Sequence, residues 1–229
     1  MKALADNWAS VQERIAGAAA RCGRDPASID VVAAAKSRTP AEIDAIVALG
    51  VACVGENRVD EAARKKPEVR ARASWHFIGR LQTNKAGRAV ELFDVVQSVD
   101  RERLALALEQ RAAQAGRVLD VLVQVNSSGA SQQGGVPVDA AEGLVARILA
   151  LPHLRLRGLM SIGLFSPDER AVRACYAAVR DLRDRLRATF GAALELPCLS
   201  MGMSGDFEWA IAEGATMVRL GTALFGPRP

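Results

Sequence analysis

Short, largely apolar runs alternate along this chain with stretches whose apolar residues recur every three or four positions. Val31, Val32, Ala33, Ala34 and Ala35, between Asp30 and Lys36, show no polar alternation. A parallel strand buried on both faces reads this way. Similar runs predict strands at Val51 to Val54, Trp75 to Ile78, Val95 to Val99, Leu119 to Val125, Leu156 to Met160, Leu196 to Leu199 and Met217 to Leu220. Helical spacing first appears at Leu4, Trp8, Val11, Ile15 and Ala18, an amphipathic helix stopped by Gly23-Arg24-Asp25-Pro26 and placed on the barrel floor or flank. Thr39-Pro40 with Glu42 is a helix start, and Gly50 ends that helix after Leu49. Further helices are predicted up to Leu92, over Arg101 to Ala115, Val138 to Leu149 and Asp168 to Ala188, and from Ser204 through Ala212.

Eight strands that alternate with helices require a parallel sheet with right-handed crossovers, and eight such units close into a (β/α)8 TIM barrel. An open doubly wound sheet would usually carry a glycine-rich turn after its first strand, where this chain has Lys36-Ser37-Arg38. With 229 residues, half of them hydrophobic, and no linker or repeat, the chain is expected to be one domain over residues 1–229.

A net charge of +4 with basic and acidic residues intermixed describes a solvated, ion-paired surface and argues against a nucleic-acid partner. Cys22, Cys53, Cys175 and Cys198 are widely spaced and read as small core residues of a reduced protein, with neither a metal site nor a disulfide framework. No signal-peptide pattern and no membrane-spanning apolar run is present, so a cytoplasmic location without a membrane partner is expected.

Lys36 is one of five lysines, and the other four read as exposed. At the mouth of an apolar strand it loses hydration, which makes the neutral, nucleophilic amine needed for Schiff-base chemistry accessible. A strand-end lysine that snorkels to water is the alternative. In a barrel all strand ends share one face, which gathers Lys36, Asn57, the Gly79 to Gln82 loop, Ser98, Asn126, Ser161, the Ser200 to Ser204 loop, Gly221 and Thr222. The last two loops commonly hold phosphate: Ser204 opens a predicted helix, Gly221 allows close approach, and Thr222 adds donors. Arg219, inside the run Met217 to Leu220, needs an acceptor, either a carboxylate on a neighbouring strand or an aromatic nitrogen of a ligand. One lysine facing one anion cradle suggests a phosphorylated carbonyl compound, which leaves a sugar-phosphate aldolase open. His76 and His153 read as structural, and Glu56 has no assigned role.

Several stretches then resemble a known family. They are Val32-Ala33-Ala34-Ala35-Lys36, Gly55-Glu56-Asn57-Arg58-Val59, Trp75-His76-Phe77-Ile78-Gly79-Arg80-Leu81-Gln82-Thr83-Asn84-Lys85, Arg157-Gly158-Leu159-Met160-Ser161, Leu199-Ser200-Met201-Gly202-Met203-Ser204 and Val218-Arg219-Leu220-Gly221-Thr222-Ala223-Leu224-Phe225-Gly226. The resemblance is to the pyridoxal phosphate homeostasis proteins, single-domain relatives of the alanine racemase N-terminal domain, and it spans essentially the whole chain. It implies a Schiff base between Lys36 and pyridoxal 5′-phosphate, a phosphate held by Ser204, Gly221 and Thr222, and Arg219 facing the pyridine nitrogen. Asn57, Ser161 and Met203 complete the implied cofactor-binding set. A cation beside that nitrogen disfavours its protonation and restrains carbanion chemistry. Where this family usually has a glutamate and a lysine after strand five, this chain has Ala130 and Gln133.

The function so implied is reversible cofactor holding in vitamin B6 homeostasis, by a monomer without catalytic residues that hands pyridoxal phosphate to apo-enzymes. The alternative is a weak amino-acid racemase. Racemisation needs acid/base groups on both faces of the substrate carbon. The sole tyrosine, Tyr176, lies in a predicted long helix, where packing is its expected role.

Overall fold

The computed structural model describes residues 2–130, 132–191 and 194–227. Ser131, in the predicted polar loop Ser127 to Gly135, and the outermost ends of the 1–229 domain lie outside the described residues. Strands β1 (Asp30–Ala34), β2 (Cys53–Glu56), β3 (Ser74–Phe77), β4 (Val95–Val99) and β5 (Leu119–Asn126) are followed by a two-residue bridge, β6 (Val136–Pro137). The chain then adds β7 (Leu154–Met160), β8 (Cys198–Ser200) and β9 (Met217–Leu220). All pairings are parallel, β7 follows β5, and β9 returns to β1, so eight strands close a ring with β6 beside β5 outside it.

Nine α-helices are described: α1 (Lys2–Arg21), α2 (Pro40–Ala48), α3 (Val59–Lys65), α4 (Ala86–Leu92), α5 (Glu102–Gln114), α6 (Ala141–Leu149), α7 (Glu169–Phe190), α8 (Phe207–Ala212) and α9 (Thr222–Phe225). None is long and apolar enough to cross a membrane. Capping explains the better-defined starts. Thr39 and Glu42 form a reciprocal capping box on α2, and the Asp168 carboxylate accepts from Arg170 N and Ala171 N at α7. Helix α1 lies on the barrel flank against α8 and α9, with Asn7 Nδ2 donating to Leu224 O at 2.9 Å.

Two expectations are corrected here. Cys22 is exposed, because it follows the last turn of α1, while the other three thiols are half-buried. Helix α8 begins at Phe207 with Asp206 at its cap position, so Ser204 does not open it.

Apolar side chains fill the layer between strands and helices, but a polar chain crosses the barrel interior. Gln97 Nε2 donates to His76 Nδ1 at 2.7 Å, which leaves the His76 Nε2–H facing Ser74 Oγ at 3.1 Å. Ser200 Oγ donates to Gln97 Oε1 at 2.6 Å and accepts from Arg219 Nη1 at 2.8 Å. Burial pushes the His76 pKa down to about 4, against the pull of Asp94 and Asp120. Neutral His76 is therefore structural, and His153 is tied through Nδ1 to Glu109 at 2.7 Å.

Candidate functional site

Register decides which loops meet at the barrel mouth. Ala34 lies opposite Gly55 and Ala33 opposite Leu220, so Lys36, Asn57 and Thr222 emerge side by side. They line a cavity of about 500 Å³ together with Met203, Ser204, Arg219 and Gly221. Seven of the eight residues expected at a cofactor site are thus brought together. Ser161 is the exception. Its hydroxyl is turned to Ser127 Oγ at 2.9 Å and accepts from Gly163 N at 3.3 Å, and Ile162 forms the wall instead. Ser98 is buried away from the cavity, and Asn126 orders its own loop by donating to Ala130 O at 2.9 Å.

Lys36 is half-buried, and its amine has no hydrogen-bond or ion-pair partner among the described residues. The backbone on either side of it is clamped. Lys65 Nζ donates to Ala35 O at 2.8 Å, to Glu56 Oε1 at 2.8 Å and to Glu61 Oε1 at 2.6 Å. Glu61 in turn accepts from Ser37 N at 2.7 Å, where the backbone is left-handed at φ 62°. Burial pushes the Glu56 pKa up, opposed by Lys65. Burial acts in the same sense on Glu61, but the hydrogen bonds from Lys65 and the Ser37 amide hold it below the usual carboxylate range. Lys65, expected at the surface, is therefore an internal counter-ion, and Glu56 acquires a role. Gly79 allows this crowding, since a Cβ there would lie 2.2 Å from Asn57 O.

Opposite Lys36, backbone amides point at one oxygen. Ser204 Oγ accepts from Gly221 N at 3.2 Å and from Ala223 N at 3.1 Å, so it caps α9. With those amides spent on it, the Ser204 hydroxyl, together with the Thr222 amide and exposed hydroxyl, makes a donor set suited to a phosphate monoester. Asp206 stiffens the neighbouring loop: one carboxylate oxygen accepts from Met203 N at 2.6 Å and the other from Tyr176 Oη at 2.9 Å. Tyr176 is fully buried, and burial followed by Asp206 pushes its pKa up, so it stays a neutral donor.

No carboxylate on a neighbouring strand accepts from Arg219 among the described residues. Nη1 donates to Ser200 O at 2.6 Å and Nη2 to Ser161 O at 2.7 Å, so backbone carbonyls at the ends of β8 and β7 hold the guanidinium. Burial lowers its pKa, opposed by Tyr176, Asp206 and Cys198. It remains a cation at neutral pH. Sequence reading missed Asp206, the 97% exposed Phe165 at the cavity mouth, and Arg38, which donates to Gly226 O at 2.9 Å. The Ser204-Gly205-Asp206 turn was the available signal for Asp206.

The whole chain, residues 1–229, matches the model of the alanine racemase N-terminal domain. It is 41% identical over 229 residues to the pyridoxal phosphate homeostasis protein of Pseudomonas aeruginosa, covering 100% of this chain and 97% of that one. The chain belongs to the pyridoxal phosphate homeostasis proteins. Among solved structures, PipY of Synechococcus elongatus with PLP bound superimposes with a TM-score of 0.85 at 34% identity. The match covers 97% of this chain and all of PipY. An unknown protein from Bifidobacterium adolescentis superimposes with a TM-score of 0.93 at 35% identity, covering 98% of this chain and 95% of its own. PipY, the Bifidobacterium protein and this chain thus share one fold, and in this chain it is the closed barrel that the strand pattern predicts.

Proposed function

We propose that this protein binds pyridoxal 5′-phosphate through Lys36 and acts in vitamin B6 homeostasis, holding the cofactor and releasing it to apo-enzymes. The observation that carries this reading is a single cavity that contains an unpartnered lysine amine, an amide and hydroxyl donor set, and a buried guanidinium. Pyridoxal phosphate supplies an aldehyde, a phosphate monoester and a pyridine nitrogen, which correspond to those three features. The Ser204 hydroxyl and the Thr222 amide and hydroxyl, beside Gly221, would hold the phosphate. Lys36 provides the amine, kept in place because Lys65 and Glu61 fix the backbone before and after it. Arg219, locked on two carbonyls, would present positive charge to the pyridine nitrogen of a bound cofactor and so disfavour carbanion chemistry. Asn57 and Met203 line the ring region, and Ser161 acts through its carbonyl on Arg219.

Catalytic racemisation is disfavoured by the one tyrosine. Its hydroxyl is committed to Asp206 inside the protein, so it offers no acid/base group to a second face of a substrate. We place the protein in the cytoplasm as a monomer; four free cysteines suit a reducing compartment. The test is borohydride reduction of cofactor-loaded protein followed by peptide mass spectrometry. A visible chromophore that bleaches and an adduct on Lys36 are expected, and protein that takes up no chromophore rejects the reading. Incubation with L-alanine should yield no D-alanine; its appearance would favour the racemase.

A further inference from the structure

A second, larger cavity of about 800 Å³ opens on the same barrel face, beside the first, and the two share Asn57. Its cations come from three separate loops: Arg58 after β2, Arg80 and Lys85 after β3, and Arg101 after β4. Against these four stand Asp60, in the wall, and Asp100, paired to Arg101. Convergence of like charge from three strand ends differs from the mixed charges along the outer helices, where Arg88 meets Glu91 and Arg180 meets Glu213.

The cations are not all engaged. Arg80 is exposed and has no hydrogen-bond or ion-pair partner among the described residues. Lys85 meets Asp60 at 2.9 Å, but their side chains are 39% and 75% exposed, an arrangement that an incoming anion can exchange. Arg101 is fixed instead, since its Nη2 donates to Leu81 O at 2.9 Å and to Thr83 Oγ1 at 3.2 Å. It thereby holds the 81–83 loop in the shape that brings Arg80 and Lys85 to one rim. Phe77 and Leu81 supply an apolar base. The volume falls within the range of small-molecule sites rather than that of a flat macromolecular surface.

The geometry points to a second, non-covalent site for a small phosphate ester, gripped by Arg58, Arg80, Lys85 and Arg101, next to the Lys36 cavity. Guanidinium forks bind phosphate in a bidentate manner, and an apolar base suits a flat ring. This site stands independently of the reading of the first cavity.

The experiment uses protein loaded with pyridoxal phosphate and reduced with borohydride, so that the first cavity is filled and cannot exchange. Its adduct mass reports that occupancy separately. Equilibrium dialysis then measures uptake of pyridoxine 5′-phosphate, which has no aldehyde, and of inorganic pyrophosphate. The reduced parent should take up one further equivalent of probe. The double variant Arg58→Gln, Arg80→Gln alters only exposed side chains and should bind about tenfold more weakly or worse. Tighter uptake of the pyridine ester assigns the site to vitamin-like phosphates, and tighter uptake of pyrophosphate assigns it to polyphosphates; either upholds it. No uptake by the reduced parent at millimolar probe, or equal uptake by parent and double variant, overturns it. Absence of any Lys36 adduct would sink the first reading alone, and the same dialysis on unmodified Lys36→Ala protein would then decide the second site.

Discussion

Lys65→Met keeps most of the stem that fills the space beneath β1 and removes the charge that binds two carboxylates together. The lysine side chain is 12% exposed, Glu56 is fully buried and Glu61 is 15% exposed, so water can replace little of what is lost. Removing one partner of a buried pair costs about 3–5 kcal/mol, because the remaining charge stays uncompensated. At about 2–4 °C per kcal/mol for a domain of this size, the unfolding midpoint should fall by roughly 6–20 °C. The pH dependence has a definite sign. Glu56 has a raised pKa in the folded state, so its contribution is favourable below the unfolded value and is lost as pH rises through the folded value. Without Lys65 that rise grows, and Glu61 loses the hydrogen bond that most holds it low. The deficit of the variant should therefore be full at pH 8 and shrink toward pH 5. Thermal unfolding of apo-protein, followed by circular dichroism at both pH values, measures it. A deficit below about 1 kcal/mol at pH 8, or one unchanged at pH 5, would refute the argument.

Lys36→Ala should still bind pyridoxal phosphate through the amide cradle but more weakly, as read by dialysis; equal affinity would count against a covalent link. Ser204→Ala and Thr222→Ala should each lose roughly 1.5–3 kcal/mol of cofactor affinity, the range for hydrogen bonds to a charged group, visible as a shift in the same isotherms. Tyr176→Phe removes the 2.9 Å bond to Asp206 and should lower stability in urea by about 1.5–3 kcal/mol; an unchanged midpoint would show that bond to be idle. His76, with its folded pKa depressed to about 4, contributes stability that is present above about pH 6.5 and is lost as pH falls toward 4, roughly 3 kcal/mol in all. His76→Gln should flatten the acid limb of the stability curve over that window.

The barrel was legible because helices cover the outer face of every strand. Runs such as Val31 to Ala35 therefore carry no polar alternation, and the number and order of the runs suffice for closure. The residues at the mouth followed from that topology. What sequence could not show was pairing across distance. Ser204 read as the start of the next helix, yet it caps backbone amides 17 and 19 residues further on. Lys65 and Lys66 look like a surface pair, but the second packs over Trp75 and donates to Leu92 O, while the first reaches into the Glu56 site. Ser161 was one residue from the wall, because its carbonyl is taken by Arg219. Gln133 donates to Gly163 O at 2.8 Å and so ties the loop after β5 to the loop after β7.

The line of Ser74, His76, Gln97, Ser200 and Arg219 threads four strands, joining β3 and β4 to β8 and β9 through a bond between residues 103 positions apart. Sliding any one of those strands by a single residue would turn its polar group outward into hydrocarbon and strand its neighbours without partners. A purely aliphatic interior would tolerate several ways of closing the ring with similar energy. Here the mispaired closures are penalised, so the line proofreads strand alignment as the cylinder forms, and it does so with the same guanidinium that looks onto the ligand cavity.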